Sequence, residues 1–328
     1  MPAARTDIAS PGDPAAVLLR EISRRWQAAD PLLPEPATPA PGAECGAVFT
    51  LTGTDGQPEA VGACDHWHGD PDSLELTWGA ARRFQLAVRV GGPDVAAALD
   101  GLLGLWRVHL AGLAETDDPD SAAVVSWPSR DVDGITTLLR RGFAPRSVVA
   151  ARGAGRRPDR LAPSGVHIRQ AGPADVEAVL RLGLQVIRYD AHFGGVVERP
   201  STAAALGAEA AAMLAEPEPW TWLAEQDGTP VGVLIGEGPK AAQWIAPMVG
   251  RSPVAYNMLT FVCPAERGAG VARALVGRFH DAADSAGVPV TLLHYEQTNP
   301  LAAPFWGRQG YRPLWTSWEA RPACTLRS

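Results

Sequence analysis

The chain has 328 residues, room for two domains, and its 46% apolar and 20% charged residues exclude gross disorder. A formal net charge of −7 with no basic run argues against a dedicated nucleic-acid binder. No run of eighteen apolar residues exists to cross a membrane, the N-terminus is polar and Pro-rich without a signal core, and four scattered cysteines (Cys45, Cys64, Cys263, Cys324) read as reduced thiols of a cytoplasmic protein.

Taken in chain order, residues 31–44 are too rich in proline for a helix interior. A hairpin is expected around 54–56, a strand near 84–90 and a helix near 94–113. His66 and His68 alternate on a strand with no third ligand near them in sequence, so no metal site is expected. Residues 151–165 carry Gly, Pro and Arg and read as a linker, which divides the chain into 1–150, 151–165 and 166–328. Beyond it come a strand at 166–169, helices at 173–186 and 202–214, and strands at 220–225 and 231–235 joined by a QDGTP turn. A strand at 255–262 leads to a helix at 270–286 with Val271, Leu275, Phe279, Ala282 and Ala286 expected to face inward. A strand at 288–295, a short helix at 301–308 and a strand at 313–320 complete the order, which mixes α and β without strict βαβ alternation.

The two halves resemble each other. Residues 124–145 and 292–313 align without a gap at an offset of 168 residues. Gly142 matches Gly310, Phe143 matches Tyr311, Pro145 matches Pro313, Trp127 matches Tyr295, and Asp131 stands where Asn299 stands. Each segment reads as strand, loop, short helix, and a Gly-aromatic turn into another strand.

The sharpest local signal is LTFVCPAERGAGVARAL, residues 259–275, where a strand runs through a Gly-rich turn into an amphipathic helix. Arg267, Gly268, Ala269, Gly270, Val271 and Ala272 form an anion cradle: glycines admit a ligand to the backbone, first-turn N–H groups point outward, and the helix dipole and Arg267 attract phosphate. Neither a Rossmann fingerprint nor a Walker loop is present. The arrangement resembles the R-x-x-G-x-A pyrophosphate loop of the GNAT superfamily of acyl-CoA-dependent acyltransferases. A second motif agrees with it: strand 292–296, Asn299, a short helix at 301–308, and Gly310-Tyr311. With the internal match, the chain is similar to a tandem GNAT protein, two mixed α/β domains whose twisted, mostly antiparallel sheets are flanked by helices.

The resemblance implies an acetyl-CoA-dependent N-acetyltransferase that needs no metal, acting on a small-molecule or peptide amine, with no nucleic-acid or membrane partner, as a monomer or weak homodimer. It implies that the main chain of Phe261, Val262 and Cys263 bonds the pantetheine arm, that residues 267–272 hold pyrophosphate, that Asn299 reaches the arm, and that Phe305 and Trp306 flank the thioester. The thioester and the amine would meet where the strands ending near Val262 and Glu296 splay. Many members carry a Glu five positions before the Asn as base and a Tyr seven positions after it as acid; here those positions hold His294 and Trp306. His294 can accept a proton, since imidazole ordinarily titrates near neutrality; Trp306 cannot act as an acid. Glu296, on the same strand face as His294, can orient it, act as base itself or bind a cationic substrate. Tyr256 and Tyr189 are candidate hydroxyls to replace the missing acid, and Tyr311 reads as a core aromatic. Tyr189, Asp190 and His192 follow the first helix of this half, where members shape the acceptor pocket. In the first half, residues 90–95 place Asp94 and Pro93 where the cradle should be, and Ser126 and Leu138 replace His294 and Trp306. That half reads as a degenerate copy. Two other readings remain open: O-acetylation, and a CoA-binding sensor or scaffold that has lost catalysis.

Overall fold

The computed structural model describes residues 13–41, 46–155 and 165–327. Elements follow in the order α1 (Pro14–Ala29), β1 (Val48–Thr52), β2 (Pro58–His68), β3 (Arg82–Val90), α2 (Val95–Ala111), β4 (Ser121–Pro128), α3 (Ile135–Arg140), β5 (Ala144–Gly153), β6 (Val166–Gln170), α4 (Val176–Asp190), α5 (Thr202–Leu214), β7 (Thr221–Gln226), β8 (Thr229–Glu237), β9 (Val254–Val262), α6 (Val271–Ser285), β10 (Val290–Glu296), α7 (Ala302–Arg308) and β11 (Arg312–Ala320). The mixed α/β class expected from the sequence is the one observed, and no described helix is long and apolar enough to cross a membrane.

Two compact units emerge, and neither is one continuous stretch. Unit 1 takes Met1–Trp67, Arg82–Ala144 and Trp318–Ser328; unit 2 takes His68–Ala81 and Pro145–Ser317. A division at 151–165 therefore differs from the observed units. β5 continues to Gly153 because it pairs antiparallel with β10, from Val290↔Gly153 to Glu296↔Ser147. Residues 151–153 are thus strand, and most of the expected linker (156–164), like Cys45, lies outside the described residues.

In unit 1, β1 and β2 pair antiparallel while β3 and β4 run parallel, with α2 as their crossover. Leu99, Leu102 and Trp106 of α2 pack against Phe84, Val125 and Phe143. Asp13 caps α1 by accepting the Ala15 N–H (3.1 Å), and the stripe Leu18, Ile22, Trp26 is buried.

In unit 2 the strands run in the order β5-β10-β9-β8-β7-β6. Among the described residues of these six strands only β9 and β10 pair in parallel, with α6 as their crossover. The β7–β8 turn places Asp227 (φ 49°) and Gly228 (φ 77°) in the left-handed region, as a tight two-residue hairpin requires. α6 buries Val271, Leu275 and Phe279 against Trp222 and Leu234, but Ala286 caps the helix in solvent and Ala283 is buried in its place. The order β3-α2-β4-α3-β5 recurs as β9-α6-β10-α7-β11. Gly142 and Gly310 both have φ 91°, and Phe143 and Tyr311 are both buried, so the offset of the sequence match carries into backbone and core.

Candidate functional site

The site begins with a broken ladder. β9 and β10 pair from Val254↔Val290 to Asn257↔Leu293 and then part, although β9 continues along β8 to Val262 and β10 along β5 to Glu296. The cause lies at Met258. Ile235 pairs with Leu259 and Gly236 with Asn257, so Met258 is an extra residue, and such a bulge bends its strand and re-aims the side chains after it. Beyond the bulge, the Cys263 N–H donates to Val231 O (2.8 Å), and by strand alternation Phe261 also turns its main chain to β8. Thr260 and Val262 turn theirs toward the gap. The expectation that Phe261, Val262 and Cys263 all offer main-chain groups there is corrected to Thr260 and Val262.

A cleft of about 790 Å³ opens at this gap. Residues 266–273 form one end of it, with Gly268 (φ 87°) and Gly270 (φ 93°) both in the left-handed region. A Cβ on Gly268 would meet nothing within 4 Å, so the loop stands open, and α6 starts without a side-chain cap. Its first-turn N–H groups therefore face the cleft end. Arg267, Arg273 and Arg308 line the same cleft, and Arg267 Nε donates to Val262 O (3.2 Å) while its guanidinium lies over the Tyr189 ring (5.4 Å). Three guanidiniums, open donors and uncrowded glycines fit a polyphosphate. Nothing in the sequence pattern pointed to Arg273 or Arg308.

At the inner end, Tyr256 and His294 share the sheet face that carries α4 and α5. The Tyr256 hydroxyl and His294 Nδ1 lie 2.9 Å apart. Burial lowers the His294 pKa to about 4, so the ring is neutral at pH 7 rather than titrating near neutrality as its residue type suggested. Burial, then the charges of Glu237 and Glu209, push the Tyr256 phenol above its ordinary range. Tyr256 is therefore a hydrogen-bond partner and a poor acid. Trp244 stacks parallel to His294 (6.3 Å between ring centres, 8° between planes) and edge-on to Tyr256 (5.0 Å), and is itself 57% exposed. Its indole N–H donates to Glu237 Oε2 (2.7 Å). Burial, then Glu209, raises the Glu237 pKa. Trp244 and Glu237 were not foreseen, because Trp244 lies on an irregular connection and Glu237 is a strand-end carboxylate until Tyr256 is placed opposite it.

Asp190, grouped with Tyr189 and His192 after the first helix of this half, also faces the site. It lines the cleft at the end of α4 and accepts a hydrogen bond from Asn299 Nδ2 (2.9 Å). Burial raises its pKa to about 6 against the lowering effect of Asn299. Asn299 Oδ1 meanwhile accepts the Leu301 N–H (3.0 Å), so this amide braces α4 against the start of α7 as well as facing the cleft. Glu296 lines the cleft and is packed against the α4–α5 connection so closely that a Cβ on Gly195 would overlap its carboxylate. That connection is anchored by residues from 68–81: Thr77 O accepts the Val197 N–H (2.8 Å), and the Thr77 and Thr202 hydroxyls are bonded (2.8 Å).

The matching model is that of the Acetyltransferase (GNAT) family, and it covers residues 191–311, from the α4–α5 connection to the start of β11. Over that stretch the chain is similar to GNAT acetyltransferases. Across 94% of this chain and 93% of the other, it matches a GCN5-related N-acetyltransferase from Sphaerobacter thermophilus with a TM-score of 0.58 at 17% identity, which supports the fold. A GCN5-related N-acetyltransferase from Kribbella flavida (TM-score 0.46, 15% identity, 94% and 95% covered) is too distant in shape to argue from. The same holds for a tandem GNAT protein from the clavulanic acid biosynthesis pathway (TM-score 0.41, 14% identity, 92% and 95% covered). No curated protein matches by sequence.

The cleft gathers Tyr189, Phe261, Val262, residues 267–272, His294, Glu296, Asn299, Phe305 and Trp306. Phe305 and Trp306 pack edge to face (4.8 Å) on the α7 wall. Three expected residues do not line it: Tyr256, which meets the cleft through its bond to His294, and Cys263 and His192. Cys263 is drawn into the β8 ladder and packs on the α4 side of the sheet. His192 is exposed, and its Nδ1 is spent on the Arg188 and Tyr189 carbonyls (2.8 and 3.1 Å). Tyr311 is buried with His280 (3.0 Å) and Thr291 (3.1 Å), as a core aromatic should be.

Proposed function

We propose that the chain transfers an acetyl group from acetyl-CoA to the primary amine of a cationic small molecule or peptide. The observation that carries this reading is the strand gap, which has the glycine-arginine cradle at one end and the His294–Tyr256 pair at the other. Main-chain groups of Thr260 and Val262 would hold the pantetheine arm and residues 267–272 the pyrophosphate. The ammonium form of the acceptor is drawn by Glu237 and Glu209 and lies against the Trp244 face. The bound ammonium first gives one proton to solvent; the lone pair of the neutral amine then bonds the thioester carbonyl carbon, and the second proton, now strongly acidic, passes to His294 Nε2 while Nδ1–H donates to Tyr256. A main-chain N–H at the gap steadies the carbonyl oxygen, the C–S bond breaks, and the thiolate is protonated by solvent. Glu296 supplies a second carboxylate beside the reacting amine. Unit 1 is a degenerate copy that binds no CoA.

Free-thiol release from acetyl-CoA, measured across matched panels of primary amines and alcohols, tests this. Amines should stimulate release above background hydrolysis and the product should carry an amide. Stimulation by alcohols alone, or by no acceptor while CoA still binds, overturns it.

A further inference from the structure

We infer that unit 1 holds a zinc site made by Cys64, His66 and His109, independent of the acyl-transfer cleft. Cys64 and His66 are two apart on β2 and so share one strand face, and His109 reaches them from the last turn of α2. One donor atom from each of the three lies within 4.8 Å of the other two. The sequence expectation of no third ligand fails because a ligand 43 positions away from His66 is brought in by the helix, while His68 stays out of the group.

The surroundings are those of a built centre rather than a chance surface cluster. Cys64 is fully buried, and its Sγ accepts the Trp106 indole N–H (3.2 Å), a bond that favours and orients a thiolate. Edge-to-face contacts fix both imidazoles, His66 on Phe84 (4.7 Å between centres) and His109 on Phe49 (5.5 Å). His109 Nε2 is buried and has no hydrogen-bond partner among the described residues. A cation would satisfy it. One thiolate and two imidazoles form a borderline-soft set that suits Zn²⁺ and disfavours Mg²⁺ or Ca²⁺. Zinc bonds of about 2.0–2.3 Å need the three side chains to close slightly by torsion, with water completing the tetrahedron. On binding, the thiol S–H bond breaks, sulfur keeps the electron pair and bonds zinc, and the proton leaves to solvent. No redox change occurs. The ion would tie β2 to α2.

The test uses the full-length chain, stripped with a chelator and titrated with Zn²⁺ against a chromophoric competitor, and separately with Co²⁺. One equivalent of zinc should bind, at least tenfold more weakly in Cys64→Ser and in His109→Gln. Zinc should raise the melting temperature of the wild type more than that of either variant. Cobalt should give a thiolate-to-metal charge-transfer band that Cys64→Ser abolishes. CoA binding should be unchanged in both variants, and an unaltered circular dichroism spectrum and cooperative melting of the metal-free proteins certify their folding. Absence of a one-equivalent site, or a site unaffected by both substitutions, overturns the inference. Should a variant fail to fold, the wild-type cobalt spectrum decides alone, and a spectrum without the thiolate band overturns it.

Discussion

The turn after β3 and the turn after β9 occupy the same place in the internal repeat, yet one is closed by the protein's own carboxylates and the other is open. After β3, Asp94 Oδ1 accepts the Ala97 N–H (2.9 Å) and caps α2, and Glu21 of α1 accepts the Gly92 N–H (3.4 Å). Leu18 crowds Gly91 so closely that a Cβ there would meet its Cδ1 at 2.6 Å. After β9, no side chain caps α6 and nothing lies within 4 Å of a Cβ built on Gly268. A cap of the Asp94 kind contributes about 1 kcal/mol to stability. Unit 2 forgoes that contribution and keeps its donors for an anion. The two turns thus share a place in the repeat, while one is closed by side chains and the other is open.

The same contrast holds at the corner before α3 and α7, and it leads to the largest expected effect. In unit 1 the corner residue Asp131 is itself the buried carboxylate, held by Arg25 (2.9 Å) against the burial that raises its pKa. In unit 2 the corner residue is Asn299, and the carboxylate it meets, Asp190, has only that amide to oppose burial. A carboxyl held at about 6 instead of 3.8 destabilises the fold by up to about 3 kcal/mol at neutral pH. The native state binds the proton more tightly than the unfolded chain, so this penalty is absent below about pH 4 and grows as pH rises to about 6. Asp190→Asn should therefore melt higher than wild type at pH 7.5 and lose most of that advantage at pH 4, compared by thermal unfolding at the two pH values. An advantage of equal size at both would show that the carboxylate is not the cause.

His294 and its counterpart Ser126 sharpen the comparison on the catalytic side. His294→Ala should lower kcat/KM by roughly 10²-fold, about 2.7 kcal/mol, with CoA affinity preserved, whereas Ser126→Ala should change neither. Because burial holds His294 at about 4, the wild-type rate near pH 6 should carry no titration step that His294→Ala removes. Glu296→Gln is the control that separates the neighbouring carboxylate. If it alone abolishes activity, Glu296 is the base.

The cradle itself should respond next. Arg267→Glu or Gly270→Asp puts charge or bulk where phosphate is expected, and CoA affinity should fall about tenfold, roughly 1.4 kcal/mol, by calorimetric titration. Asp94→Asn should leave a stoichiometry of one CoA per chain. Two equivalent sites in the wild type would break the distinction between the turns.

Much of this arrangement was legible in the sequence, for definite reasons. Period and turn chemistry located α5 at its observed bounds, and the glycines of the two repeats marked positions that need positive φ. The cradle could be found because all its parts lie within ten residues. What stayed hidden depends on tertiary pairing. Asp190 meets Asn299 across 109 residues, and Met258 becomes a bulge only in register with β8. The pairing of β5 with β10 has no local signature, so the compact units could not be drawn from composition alone.

The smallest expected effect tests the inner end of the unit 2 cleft, which unit 1 lacks any counterpart for in the sequence match. Trp244 is mostly exposed although it is a large aromatic, and two contacts hold it there: its N–H on Glu237 and its face parallel to His294. An exposed ring fixed beside two carboxylates suits a cation, and such a contact is worth about 0.5–2 kcal/mol. Trp244→Ala should therefore raise KM for a cationic amine several-fold, leaving KM for acetyl-CoA alone. Glu237→Gln should do the same to a lesser degree, since Gln still accepts the indole hydrogen bond but carries no charge. The discriminating readout is a neutral-bodied amine of similar size compared with one bearing a second cationic group. If both substitutions weaken the two acceptors equally, Trp244 acts only by covering His294. If the doubly charged acceptor suffers more, Glu237 and Glu209 select for charge beside His294.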